Sequence, residues 1–202
     1  MSAQHSVSTG SSPVISCFIE GWSVLRPVGA GKFSLDDIDP SLCTHLVFLF
    51  AGLDDDRSTI SLEAEYDTEG ERAFRQLVAI KARVPSLHVT VAIGGWTEGS
   101  EGFSKMASSQ RTRKTFIDSV LENLKRYKLD GLDIFWQNPA QKIQKGRPED
   151  KRNYVTLVKE LKEALRPEGF SLTVAVMSLK SVIDDGYDLP GLAEHVGEIS
   201  RV

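Results

Sequence analysis

The stretch Asp130 to Pro139, Asp-Gly-Leu-Asp-Ile-Phe-Trp-Gln-Asn-Pro, constrains this chain more than any other. It opens on an Asp-Gly pair suited to a tight turn and continues through Leu132, Ile134, Phe135 and Trp136. It stops at Pro139, which has no N–H to give to a strand ladder. This is the pattern of a buried strand. Asp133 and Gln137 are four residues apart, so an extended backbone puts both side chains on one face. A carboxylate and an amide facing inward are costly to bury unless each is paired or functional.

Strand and helix signals alternate around that stretch. Val14 to Ile19 is a short apolar run ending in Glu20-Gly21-Trp22, and His45 to Ala51 is nearly all apolar, as expected of a strand covered on both faces. Asp54 to Ser61 reads as a polar turn. Thr68 to Arg83 has helical spacing and stops before Pro85. His88 to Ile93 reads as strand, and Gly94-Gly95-Trp96 then opens a loop containing Gly and Ser. A helix is predicted over about Gln110 to Tyr127, with Phe116, Ile117, Val120, Leu121 and Leu124 on its buried stripe. After the central strand come a helix from Pro148 to Leu165, a strand from Ser171 to Met177 and the start of a helix at Leu192 to His195. Such alternation predicts right-handed βαβ units and a parallel sheet. Periodicity by itself does not choose between an open doubly wound sheet and a closed barrel.

Composition narrows the classes. With 202 residues, 41% of them hydrophobic, the chain can build one sizeable core. A net charge of −4 gives no electrostatic case for nucleic acid or a membrane surface as partner. No apolar run approaches the ~20 residues of a spanning helix. Residues 1–13 are Ser-rich and lack the basic head and apolar run of a signal peptide, so they read as a disordered leader to a domain over 14–202. His5, His45, His88 and His195 are scattered without metal-ligand spacing, so neither metal nor cofactor is expected. Cys17 and Cys43 are either two thiols or one bridge, and spacing leaves that open.

Asp130, Gly131, Asp133 and Trp136 resemble the signature of the family 18 glycoside hydrolases, the chitinases, which reads D-G-x-D-x-D-W-E. The resemblance covers most of the chain and implies a TIM barrel, an α/β fold with the loops after its strands forming the active face. The strand signals supply five of its eight strands and the start of a sixth, so the chain reads as the amino-terminal part of such a barrel, truncated after strand five or six. Its Cys contexts resemble the first disulfide of animal chitinase-like proteins, which implies a Cys17–Cys43 bridge and an extracellular, secreted protein.

The same resemblance makes the chain a degenerate enzyme. Phe135 stands where the family has its inner Asp, and Gln137 where it has the catalytic Glu. These enzymes use the substrate's own N-acetyl group as nucleophile, with the Glu as proton donor and the inner Asp holding the acetamido group. Gln137 has no transferable proton in the neutral range. Trp22, Phe50 and Trp96, each near a strand end, match aromatics that line the chitin cleft, and Gln137 and Asn138 complete the implied carbohydrate-binding set. A plainer role for a Trp after a strand is to cover the barrel end. Ala92, Phe18 and Asn138 replace a Ser and two Tyr that the family usually carries. The leading expectation is an inactive lectin for chitin or N-acetylglucosamine oligosaccharides. The alternatives are a secreted signalling protein resembling the imaginal disc growth factors, which also carry Gln for the catalytic Glu, and a shortened product without function.

Overall fold

The computed structural model describes residues 13–29, 31–62 and 70–201. The leader expected over 1–13 lies outside them except for Pro13, and so does the expected start of the first helix at Thr68. The strands are β1 (Ser16–Glu20), β2 (His45–Asp54), β3 (Thr59–Ser61), β4 (His88–Gly94), β5 (Gly131–Phe135), β6 (Ser171–Val176) and β7 (Glu198–Arg201). The helices are α1 (Gly70–Arg83), α2 (Glu101–Ala107), α3 (Gln110–Tyr127), α4 (Asp150–Leu165), α5 (Lys180–Gly186) and α6 (Leu189–Ala193). Six strands form one parallel sheet in the order β1-β2-β4-β5-β6-β7, and β3 pairs antiparallel with the end of β2. This is an α/β half-barrel, six parallel strands of a TIM barrel.

Alternation along each strand sorts the side chains into two sets. Leu46 and Phe48, Val89, Val91 and Ile93, Leu132, Ile134 and Trp136, and Leu172, Val174 and Val176 are buried in the core between sheet and helices. The helices meet them with Leu77 and Ile80 of α1, Phe116, Val120 and Leu124 of α3, and Tyr154, Leu157 and Leu161 of α4. The intervening residues face the concave side of the sheet, where Val47, Thr90, Ala92, Asp133, Phe135 and Ala175 are also buried. Trp136 is fully buried against Phe103 of α2 and Tyr154 of α4, each ring 5.2 Å away, and its indole N–H donates to Ser100 Oγ at 2.9 Å. A buried indole needs such an acceptor.

Cys17 of β1 and Cys43, just before β2, form a disulfide with their Cα atoms 5.9 Å apart. The two strands pair in parallel register from Ser16 with His45 to Glu20 with Leu49, so the bridge closes the start of that pair.

Four differences from the sequence reading have local causes. The polar segment Asp54 to Ser61 contains β3, whose Ile60 N–H donates to Ser119 Oγ of α3 at 3.0 Å. The loop after Trp96 contains α2, a helix of 7 residues that buries Phe103, Met106 and Ala107 but is too short to show a period. Helix α6 begins at Leu189 because Asp188 caps it, accepting from the Gly191 N–H at 3.1 Å. The sixth parallel strand, expected only as a beginning, is formed by Glu198–Arg201.

Candidate functional site

The signature stretch divides between the two ends of β5. At the amino end, Asp130 pairs with Lys81 of α1 and accepts from the Val89 N–H at 2.8 Å, while its own N–H donates to the Val89 carbonyl at 2.7 Å. Gly131 follows where β5 and β6 approach closely, and a Cβ there would lie 2.1 Å from Ser171 Oγ. Asp130 and Gly131 therefore hold strands together at the end of the sheet opposite the loops that follow the strands.

Asp133, Phe135 and Gln137 share the concave face, as the even spacing requires. Asp133 is 2% exposed, and Thr173 Oγ1 of β6 donates to its Oδ2 at 2.6 Å. Its Oδ1 has no partner among the described residues. Burial pushes the Asp133 carboxyl up to about 6, the Thr173 hydrogen bond opposes that rise, and the nearby Glu198 adds to it. Gln137 is partly exposed just beyond the strand end; its amide N–H donates to Met177 Sδ at 3.0 Å, and its Oε1 is buried without a donor among the described residues.

An aromatic row runs from β1 to β5 at the loop end of the sheet. Trp22, in the turn after β1, stacks on Phe50 with centroids 6.0 Å apart and planes at 17°. Phe50 lies within β2, which continues to Asp54 and so extends past the end expected for it. It meets Phe135 at 5.9 Å. Gly95 makes room for the row, since a Cβ there would lie 2.7 Å from the Phe50 ring and its φ of +83° disfavours other residues. Trp96 is 64% exposed in the loop after β4. The structure thus joins Trp22, Phe50 and Phe135 in one row, with Gln137 next along the same strand face as Phe135.

Asn138 is buried, and its carbonyl accepts from Ser100 Oγ at 2.7 Å. Ser100 also donates its N–H to the Gln144 carbonyl at 3.1 Å, so this one residue ties the loop after β4 to the loop after β5. Tyr187, between α5 and α6, reaches the main chain at Trp136 and Gln137. Burial holds its phenol above the ordinary tyrosine range. Ser100, Thr173 and Tyr187 carry no motif of their own, and sequence reasoning passed over all three. Among the described residues no group of three or more His, Cys, Asp or Glu could hold a metal ion, and no helix is long and apolar enough to cross a membrane.

Residues 14–200 match the family model for glycosyl hydrolases family 18. Probable chitinase 2 of Drosophila melanogaster is 37% identical over 187 residues, which covers 91% of this chain and 38% of the fly protein. The structure of Ostrinia furnacalis Group IV chitinase superposes with a TM-score of 0.87 at 37% identity, covering 95% of this chain and 51% of that one. Human YKL-39, a pseudo-chitinase with retained chitooligosaccharide binding properties, superposes with a TM-score of 0.82 at 27% identity, covering 93% and 50%. The chain therefore spans about half of the matched structures and just over a third of the fly relative. The parallel half-barrel agrees with the match, and the chain belongs to glycosyl hydrolase family 18.

Proposed function

We propose that this protein is a catalytically inactive, secreted family 18 member that binds chitin-type oligosaccharides. The observation that carries this reading is Gln137 at the head of β5, whose amide N–H is engaged by Met177. A general acid needs a transferable proton near neutral pH, and an amide has none. Loss of general acid catalysis typically removes ~10²–10⁴-fold in rate. Phe135 removes the carboxylate that the family places between these two positions. Asp133 ionises in a useful range but is nearly sealed from solvent, which leaves it unable to reach a glycosidic oxygen.

Binding is a separate capacity, and the row of Trp22, Phe50 and Phe135 supports it. Sugar rings place their apolar faces on aromatic side chains, while amides fix their polar substituents. The Cys17–Cys43 bridge accords with an oxidising, extracellular location. The relation to YKL-39 supports binding without turnover.

The test is a pair of measurements on the purified chain. No turnover of a fluorogenic chitobioside is expected, either from the parent or from Gln137→Glu, because Phe135 still leaves the acetamido group unheld. Titration with N-acetylglucosamine oligomers, read by intrinsic fluorescence or NMR, is expected to show weak binding that tightens with ligand length. Each stacked aromatic contributes on the order of 1 kcal/mol, so Trp22→Ala and Trp96→Ala each weaken binding several-fold. Enzyme-dependent turnover by the parent overturns the inactive assignment, and absence of binding to every oligomer overturns the lectin assignment.

A further inference from the structure

Near the head of β5 the concave face carries two acceptors that lack donors. Asp133 Oδ1 and Gln137 Oε1 are both buried without a hydrogen-bond donor among the described residues. The donors beside them are already committed, Thr173 Oγ1 to Asp133 Oδ2 and Gln137 Nε2 to Met177 Sδ. Glu198 adds a further carboxylate, set by register in the row Asp133, Thr173, Glu198 across β5, β6 and β7. By strand alternation, the concave positions of the six parallel strands include no Lys or Arg. Between Asp133 on β5 and Gln137 just beyond it stands Phe135, whose ring continues the row through Phe50 to Trp22.

Ligand chemistry follows from that inventory. An acetamido group brings one N–H and a carbonyl oxygen that itself requires a donor. A protonated primary amine brings three N–H donors, no acceptor and a positive charge. Carboxylates attract that charge strongly in a low-dielectric site, and aromatic faces attract it as well. Resting on the carbohydrate-binding reading above, we propose that the head of β5 takes amino-sugar oligomers with free ammonium groups, the deacetylated form of chitin, in preference to fully acetylated ones. Gln137, partly exposed at the rim, turns its unpartnered Oε1 outward to accept from the ammonium group. Asp133, one layer below, supplies charge without touching the ligand, and is a positioning residue in that sense. Phe135, which removes a carboxylate important for holding an acetamido group, adds a ring face to the same subsite.

The experiment is a calorimetric titration of the full chain with the hexamer of glucosamine and, in parallel, the hexamer of N-acetylglucosamine, at a pH where the amine is largely protonated and the Asp133 carboxyl, raised to about 6, is largely ionised. The glucosamine hexamer is expected to bind ~10-fold tighter at low salt, an advantage that shrinks as salt screens the charges. Gln137→Glu is expected to widen the preference and Asp133→Asn to narrow it, whereas Asp118→Asn, an exposed change on α3, leaves it unchanged. Equal or tighter binding of the acetylated hexamer overturns the proposal and leaves the lectin reading standing. Failure of both hexamers to bind overturns the two together. A preference that Asp118→Asn reduces as much as Asp133→Asn overturns the site assignment, because general surface charge then accounts for it. Circular dichroism confirms folding of each variant, and Gln137→Glu tests the site independently of Asp133.

Discussion

Tyr187 holds the main chain at Gln137 from 50 residues away: its hydroxyl lies 2.6 Å from the Gln137 carbonyl oxygen and 2.9 Å from that of Trp136. The Met177 N–H donates back to the same hydroxyl at 3.4 Å. One phenol thereby joins the head of β5 to the head of β6. Tyr187→Phe leaves these groups short of a partner in a buried place, and is expected to cost about 1–2 kcal/mol. For a chain of this size that lowers the thermal midpoint by roughly 2–8 °C. Thermal unfolding by circular dichroism checks it, and an unchanged midpoint contradicts it. Oligosaccharide binding is expected to weaken too, because the Gln137 backbone loses its anchor.

Asp133 makes stability depend on pH. Its carboxyl is raised from 3.8 to about 6 in the fold, chiefly by burial, so the folded state binds the proton more tightly than the unfolded chain does. The contribution to stability is therefore complete below the unfolded value and is lost as pH rises from about 4 through about 6. A shift of this size corresponds to about 3 kcal/mol at most. Asp133→Asn retains an acceptor for Thr173 without the buried charge, and is expected to be more stable than the parent at neutral pH and to flatten the profile. His45 acts in the opposite sense, since burial and the stacked His88 lower its pKa. Comparing urea midpoints of variant and parent at matched pH cancels that contribution. A parallel pair of pH profiles rules the prediction out.

Gly95→Ala tests the aromatic row. The added methyl meets the Phe50 ring at 2.7 Å and the backbone holds a φ of +83°. A cost of about 1–3 kcal/mol is expected, together with displacement of Phe50 from Trp22. Aromatic NMR shifts of Phe50 and Trp22 report the displacement directly. Wild-type shifts in a fully stable variant contradict the packing described.

The Cys17–Cys43 bridge, with a sequence separation of 26, is expected to stabilise the fold by roughly 3–4 kcal/mol on a chain-entropy argument. The double variant Cys17→Ser with Cys43→Ser measures this in denaturant, without the ambiguity of a reducing agent. Midpoints within error of the parent overturn the expectation.

Much of the architecture was legible because its determinants are local. Helix α3 falls where the sequence put it, since Ser109 caps its start, accepting from the Thr112 N–H at 3.2 Å, and Lys128 ends it in a left-handed conformation. Strands β2, β4 and β5 announce themselves as apolar runs because helices cover one face and the barrel interior the other. The Cys pairing came from resemblance, and the geometry agrees with it. Helix α2 was missed because a single short amphipathic turn carries no period. Tyr187 and Ser100 were missed because their meaning lies in partners at residues 136 to 138, and nothing in their own neighbourhoods encodes that distance.

The position of Asp130 bears on how such chains are classified. It clamps β4, β5 and α1 at the closed end of the sheet, far along the strand from Gln137. Gly131 and Trp136 likewise serve strand spacing and the helix layer. The contacts these residues make belong to the fold whether or not the chain hydrolyses anything. Matching those residues identifies the scaffold, while under the proposed function the chemistry turns on the two letters at Phe135 and Gln137, which a score spread evenly over the whole signature barely registers.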